Sequence, residues 1–268
     1  MDLASLTIVF LAGLITGLAT GLGVLPFYLI REVNDRWLAV LWGLAVGILL
    51  SASIFGLVLE GIASGPTAHV LGGLVAGAGF VYLADRVIAG WEFSPRTVSP
   101  STVTPATLVL TVGVLTIHSI PEGIAVGVAF ADLGVESDVT IAGIGLPSLA
   151  IVTSVTISIL NVPEGLAIAI PLIAYGMARW KVVGWAIVSG LPQPIGAVAA
   201  YVSVTTFEGI LPMGFGFAAG ALFYLIYFEF LPAGLDHDPE NRKERLVAFA
   251  SAATVGFVGM LAITFVIG

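Results

Sequence analysis

The fold class this sequence predicts is an all-α membrane protein of eight spanning helices, and three observations predict it. Of 268 residues, 58% are hydrophobic and only 10% charged, with mean hydropathy +1.10; an ordinary soluble domain carries about a quarter charged residues. The apolar residues fall into eight runs, all but the long fifth near the roughly 20 residues that cross a hydrocarbon core. All nine Lys and Arg residues fall between alternate runs.

The runs occupy residues 5–30, 38–59, 67–83, 107–131, 141–174, 182–204, 213–231 and 246–267, which is read as one membrane domain over 1–268 with little length for a soluble one. The first run starts close to Met1 without a basic leader or an obvious small-residue cleavage site, and is read as a retained span. Its Thr16-Gly17-Leu18-Ala19-Thr20-Gly21-Leu22-Gly23 is a small-residue surface suited to close helix packing. The second run holds Ser51 and Ser53, and the third is glycine-rich with an interfacial His69 near its start. Residues 90–105, rich in Pro, Ser and Thr, form the longest expected loop. The fourth run carries one polar motif and the long fifth another, with Pro147 and Pro171 near the fifth run's ends. The sixth is expected to break at Leu191-Pro192-Gln193-Pro194, because neither proline has an N–H to donate. The seventh ends in Phe228-Glu229-Phe230 before Pro232, and a solvated loop with His237 leads to the eighth.

Numbered in order, the odd loops contain Arg31 and Arg36, Arg86 and Arg96, Arg179 and Lys181, then Arg242, Lys243 and Arg245. The positive-inside rule therefore puts odd loops in the cytoplasm and both termini outside, in the cell membrane. The outer face is left with Asp2, Glu60, Asp132, Glu136, Asp138 and Glu208. Those acids would concentrate cations, although a solvated outer surface, or adaptation to a salt-rich habitat, is equally compatible with them.

Two motifs break the apolar rule. His118-Ser119-Ile120-Pro121-Glu122-Gly123 lies in the fourth run and Asn161-Val162-Pro163-Glu164-Gly165 in the fifth. An ionisable residue inside a span costs several kcal/mol unless it has a partner, and marks a functional site by default. His118 and Glu122 are four apart, hence on one helix face, where an imidazole and a carboxylate can converge on one cation. Pro121 and Pro163 free the carbonyls of Ile117 and Ile159, so breaks are expected in both helices. The two helices run antiparallel, the signature of an inverted pair meeting near the midplane.

Without cysteine, disulfides and thiolate ligands are excluded, and a metal site must use imidazole, carboxylate, amide and hydroxyl groups. His118, Glu122 and Glu164 form the expected ligand set, with Ser119, Asn161 and Gln193 able to complete it. Two carboxylates neutralise one dication, and mixed nitrogen and oxygen donors suit Zn²⁺, Fe²⁺, Mn²⁺ or Co²⁺ over Ca²⁺ and Mg²⁺. The ligands must be deprotonated to bind, so metal release on acidification is expected.

At these residues the chain resembles the ZIP (Zrt-, Irt-like Protein) family of divalent-metal transporters, in its prokaryotic form. The family's fourth-helix His-Asn-x-Pro-Glu-Gly is matched by His118 to Gly123, with Ser119 at the Asn position. The fifth-helix Pro-Glu-Gly is matched by Pro163 to Gly165. Gly190-Leu191-Pro192-Gln193-Pro194-Ile195-Gly196 is similar to Gly-Leu-x-Glu-Pro-φ-Gly, and Phe228 to Pro232 to His-Glu-x-x-Pro. The resemblance implies metal, Zn²⁺ foremost and Fe²⁺, Mn²⁺, Co²⁺ or Cd²⁺ as further candidates, as transported substrate with no cofactor. It also implies uptake towards the cytoplasm by an elevator-like movement. Departures are Leu160 where the family often has His or Gln, Gln193 for Glu, and Phe228 for His. Two dications would face only Glu122 and Glu164, plus Glu229 if it reaches, so one tight site and a weak or absent second one are expected. The bilayer is the other expected partner; nucleic acid is not one, and a homodimer is left open.

Two other classes remain in view. A proton-coupled carrier would use the midplane acids without metal. An intramembrane metalloenzyme would need an open metal position, but the chain has no His-Glu-x-x-His and no clear further base. No phosphate-binding loop supports ATP coupling within the chain.

Overall fold

In a bilayer a backbone must satisfy its own polar groups, so apolar runs of this length fold as helices. The computed structural model describes residues 3–29, 35–89, 105–131, 133, 139–141, 144–207, 209–235 and 242–267. The expected loop over 90–104, Arg31, Arg96, the acids Asp2, Asp132, Glu136, Asp138 and Glu208, and His237 lie outside the described residues.

The first pass is α1 (Leu3–Ala19), a 3-10 segment (Thr20–Val24) and α2 (Pro26–Leu29). The second is α3 (Asp35–Ser51), a π-helical segment (Ala52–Val58) and α4 (Leu59–Ser64). Next come α5 (Thr67–Ala89), α6 (Pro105–Ala129) and α7 (Ser148–Ala174). The sixth pass is α8 (Arg179–Gly190) and α9 (Pro192–Thr206). The seventh is α10 (Leu211–Leu225), a π segment (Ile226–Phe230) and α11 (Leu231–Leu235), and α12 (Arg242–Ile267) closes the series. Among the described residues, seven helical stretches are long and apolar enough to cross a bilayer, and α6, at 25 residues, is the remaining long helix.

Local chemistry explains where these differ from expectation. The molecule is not purely helical: β1 (Val139–Ile141) and β2 (Ile144–Leu146) pair antiparallel, Val139 opposite Leu146, at the head of the expected fifth run. β-branched Val139, Thr140, Ile141 and Ile144 favour a strand there, and Pro147 keeps the preceding residue out of helical conformation, so α7 starts at Ser148. It ends in a Schellman cap, with Gly176 at φ +90 and the Met177 N–H reaching the Leu172 carbonyl.

The breaks expected at Pro121 and Pro163 do not appear; α6 and α7 run through both prolines. Each proline removes one hydrogen bond, and the glycine that follows two residues later is clamped by a neighbour, Gly123 against the Gln193 backbone and Gly165 against the Thr20 carbonyl. The sixth pass does break, at Leu191. There the chain makes a tight Leu191 N–H to Val188 bond, and Pro192 takes the first helical position, where a missing N–H costs nothing.

The passes pack as two groups of four. One contains α1–α2, α6, α7 and α8–α9; the other contains α3–α4, α5, α10–α11 and α12. Within each group, glycine lets backbones touch. Gly43 and Gly47 of α3 press on the Phe249 and Ala253 carbonyls of α12, Gly73 and Gly77 of α5 on those of Met213 and Phe217 of α10, and Gly127 of α6 on that of Ala197 of α9. Where a glycine faces the other group it meets a side chain, Gly56 that of Leu149 and Gly214 that of Val128.

Candidate metal centre

Four passes of the first group meet where the two Pro-Glu-Gly motifs cross. Glu122 comes from α6, Asn161 and Glu164 from α7, and Gln193 from the start of α9. All four are sealed from solvent, at 0%, 0%, 1% and 0% exposure respectively. The local sequence places them. The break at Leu191 puts Gln193 at a helix N-terminus, and Gly123, having no Cβ, lets that backbone settle one residue from Glu122. Gly23 against the Val162 carbonyl, and Gly165 against that of Thr20, bring the first pass equally close on the other side.

The amides are fully committed. Gln193 Nε2 donates to Glu122 Oε2 and, at 3.2 Å, to Asn161 Oδ1. Asn161 Nδ2 donates to the Thr16 carbonyl and, at 3.2 Å, to Gln193 Oε1. The two side chains thus form a reciprocal pair whose four N–H donors are all used. The Glu122 and Glu164 carboxylates lie close enough to interact directly, and Glu122 Oε1 is buried with no hydrogen-bond partner among the described residues. Two carboxylates held against each other out of water need a cation or a proton between them. The chemistry available is therefore capture of a positive charge by oxygen donors.

The other expected ligands fall out differently. His118 is on α6, one turn before Glu122, and its side chain lies outside the described residues. Ser119 is buried, but its hydroxyl donates to the Leu115 carbonyl of its own helix at 3.1 Å. Glu229 is not brought to the pair: among the described residues no third His, Asp or Glu joins a metal-holding group. The reason is topological, since its π segment packs on α3, α10 and α11, in the other four-pass group. The small-residue surface of the first pass contributes more than packing, because Thr16 lends its carbonyl to Asn161 and the buried Thr20 hydroxyl has no partner among the described residues. The available signal was their spacing: two threonines four apart share one face of an otherwise apolar helix.

The Zip family model, described as ZIP Zinc transporter, matches residues 94–264. A protein of Arabidopsis thaliana with the provisional name of zinc transporter is 33% identical over 97% of this chain, which spans 39% of that protein's length. Zinc transporter ZupT of Corynebacterium aurimucosum is 30% identical over 87% of this chain and 89% of its own length, and zinc transporter GufA of Myxococcus xanthus 29% identical over 82% and 86%. Relatives thus come from a plant as well as from bacteria, which removes the restriction to a prokaryotic form. On the family match, which covers more than half of the chain, and the alignment with ZupT, the chain belongs to the ZIP zinc transporter family.

Proposed function

We propose that this protein carries divalent transition-metal cations through the membrane towards the cytoplasm, Zn²⁺ foremost, with Fe²⁺, Mn²⁺, Co²⁺ and Cd²⁺ as further candidates. The metal is held by Glu122 and Glu164, with His118 and the Asn161 carbonyl oxygen as neutral donors. The observation that carries this reading is the pair of buried carboxylates facing each other across α6 and α7, one oxygen of Glu122 lacking a donor among the described residues. Two carboxylates cancel one dication, so the loaded site has about zero net charge and is tolerated in a low-dielectric interior. A site sealed on all sides must open alternately to each face. Division into two four-pass groups, glycine-clamped within and joined by side chains between, supports one group sliding against the other.

The site takes one metal. Gln193 directs an N–H at Glu122, where a second cation would have to sit, and an N–H donor repels a cation. The passes number eight, with α6 the eighth; the basic ends of the helices face the cytoplasm and both termini lie outside.

The test is saturable Zn²⁺ uptake into proteoliposomes by wild type, Glu122→Ala and Glu164→Ala. Uptake is expected to fall at least tenfold in each variant; wild-type flux in either would remove that carboxylate from the site. Proton flux without metal dependence would transfer the same pair to a proton-coupled carrier.

A further inference from the structure

A groove of about 850 Å³ runs between α3 and α12, outside the metal centre and on the opposite four-pass group. Among the described residues its mouth holds Arg36 and Lys243 with Glu244 beside them, which together carry a net single positive charge. Away from the mouth the walls are Val40, Leu44, Val247 and Val255. Its floor exists because α12 presents Ala248 and Ala252 there, while Gly43 and Gly47 draw the two backbones together on the adjoining seam. From Lys243 to Val255 is about 18 Å along the helix, close to the roughly 15 Å of one leaflet of hydrocarbon.

We propose that this groove binds one anionic phospholipid of the leaflet on the basic-loop side, its phosphate at Arg36 and Lys243 and its acyl chains along α3 and α12. Three features select that occupant. The groove is polar only at one end, except for Ser251; its depth is that of one leaflet; and its charged end sits at the level of Trp37, 64% exposed as an interfacial anchor would be. Basic pockets between helices at the cytoplasmic surface suit anionic headgroups. A zwitterionic lipid would fill the same walls but would bring no net charge to the mouth.

The test equilibrates the full chain with bilayer discs holding equal phosphatidylglycerol and phosphatidylcholine of identical acyl chains, and reads retained lipid by native mass spectrometry. Wild type is expected to retain phosphatidylglycerol preferentially. Arg36→Ala and Lys243→Ala should each weaken that preference about fivefold, and Glu244→Gln should strengthen it about as much. The gain in Glu244→Gln cannot come from misfolding. Ala248→Phe, which fills the floor, should reduce retention of both lipids. Equal retention of the two lipids by wild type would overturn the proposal. A dimer that Ala248→Phe splits into monomers would also overturn it, giving the groove to a second copy of the chain. No readout involves metal, so the outcome is independent of the uptake assays.

Discussion

Gln193 shows how much one side chain decides. A glutamate there would add a third carboxylate beside Glu122 and Glu164; the amide instead supplies two N–H donors, one to Glu122 and one to Asn161. Gln193→Glu is expected to raise bound Zn²⁺ from one to two per chain, measured by elemental analysis after gel filtration. An unchanged ratio would show that residue 193 does not set the stoichiometry. Gln193→Leu should cost stability instead, by about 1–3 kcal/mol, because it leaves the Glu122 and Asn161 oxygens buried without donors; the midpoint of thermal unfolding in detergent reads this. Much of the centre was legible in the sequence at this scale. Glu122, Glu164, Asn161 and Gln193 are polar residues in apolar runs, and the cost of burying them singles them out. Glu229 satisfied the same criterion and lies elsewhere, because the criterion says which residues are costly and not which meet.

Between elements, glycines decide the spacing, and their neighbours predict what a methyl group would do. At Gly77 a Cβ would run into the Phe217 carbonyl of α10, whereas at Gly259 of α12 nothing among the described residues lies within 4 Å. Gly77→Ala should therefore destabilise by about 1–3 kcal/mol as overpacking forces α5 and α10 apart. Gly259→Ala should stabilise by about 0.5–1 kcal/mol, since alanine is the better helix former. The two unfolding midpoints should move in opposite directions, and movement in the same direction would contradict the packing described. Proline was the less reliable guide to the elements. It broke the sixth pass at Leu191, where Pro192 and Pro194 flank Gln193, and left α6 unbroken at Pro121 and α7 unbroken at both Pro163 and Pro171.

Across the whole molecule, the exposed surface is what a bilayer covers. Val75 on α5, and Val258 and Phe265 on α12, are more than half exposed, a cost in water that vanishes in lipid. Trp37 and Trp180 stand beside Arg36 and Arg179, Arg179 lies over the Tyr28 ring at 5.9 Å and Arg86 over that of Tyr82 at 5.2 Å. Bases and aromatic rings thus share the helix ends assigned to the cytoplasm, as interfacial residues do. The chain has no cysteine, so single replacements test the orientation directly. Thr67→Cys, at the outer start of α5, should react with a membrane-impermeant maleimide on intact cells, and Lys181→Cys only after permeabilisation. The reverse pattern would invert the proposed topology and the direction of transport with it.

What the sequence by itself determined is set by the solvent: a bilayer requires long apolar helices, and makes an acid inside one so costly that it stands out from its neighbours. Those constraints act on one residue or one helix at a time, and composition and order carry them. Only the tertiary structure decided which groups converge. The Thr16 carbonyl, the amide pair aimed at Glu122 and the absence of Glu229 all depend on which helices touch, and at what depth. That depends on pairs of backbones meeting at Gly23, Gly123 and Gly165. A glycine in the sequence announces that something comes close; its partner lies on another helix, and no periodicity along the chain names it.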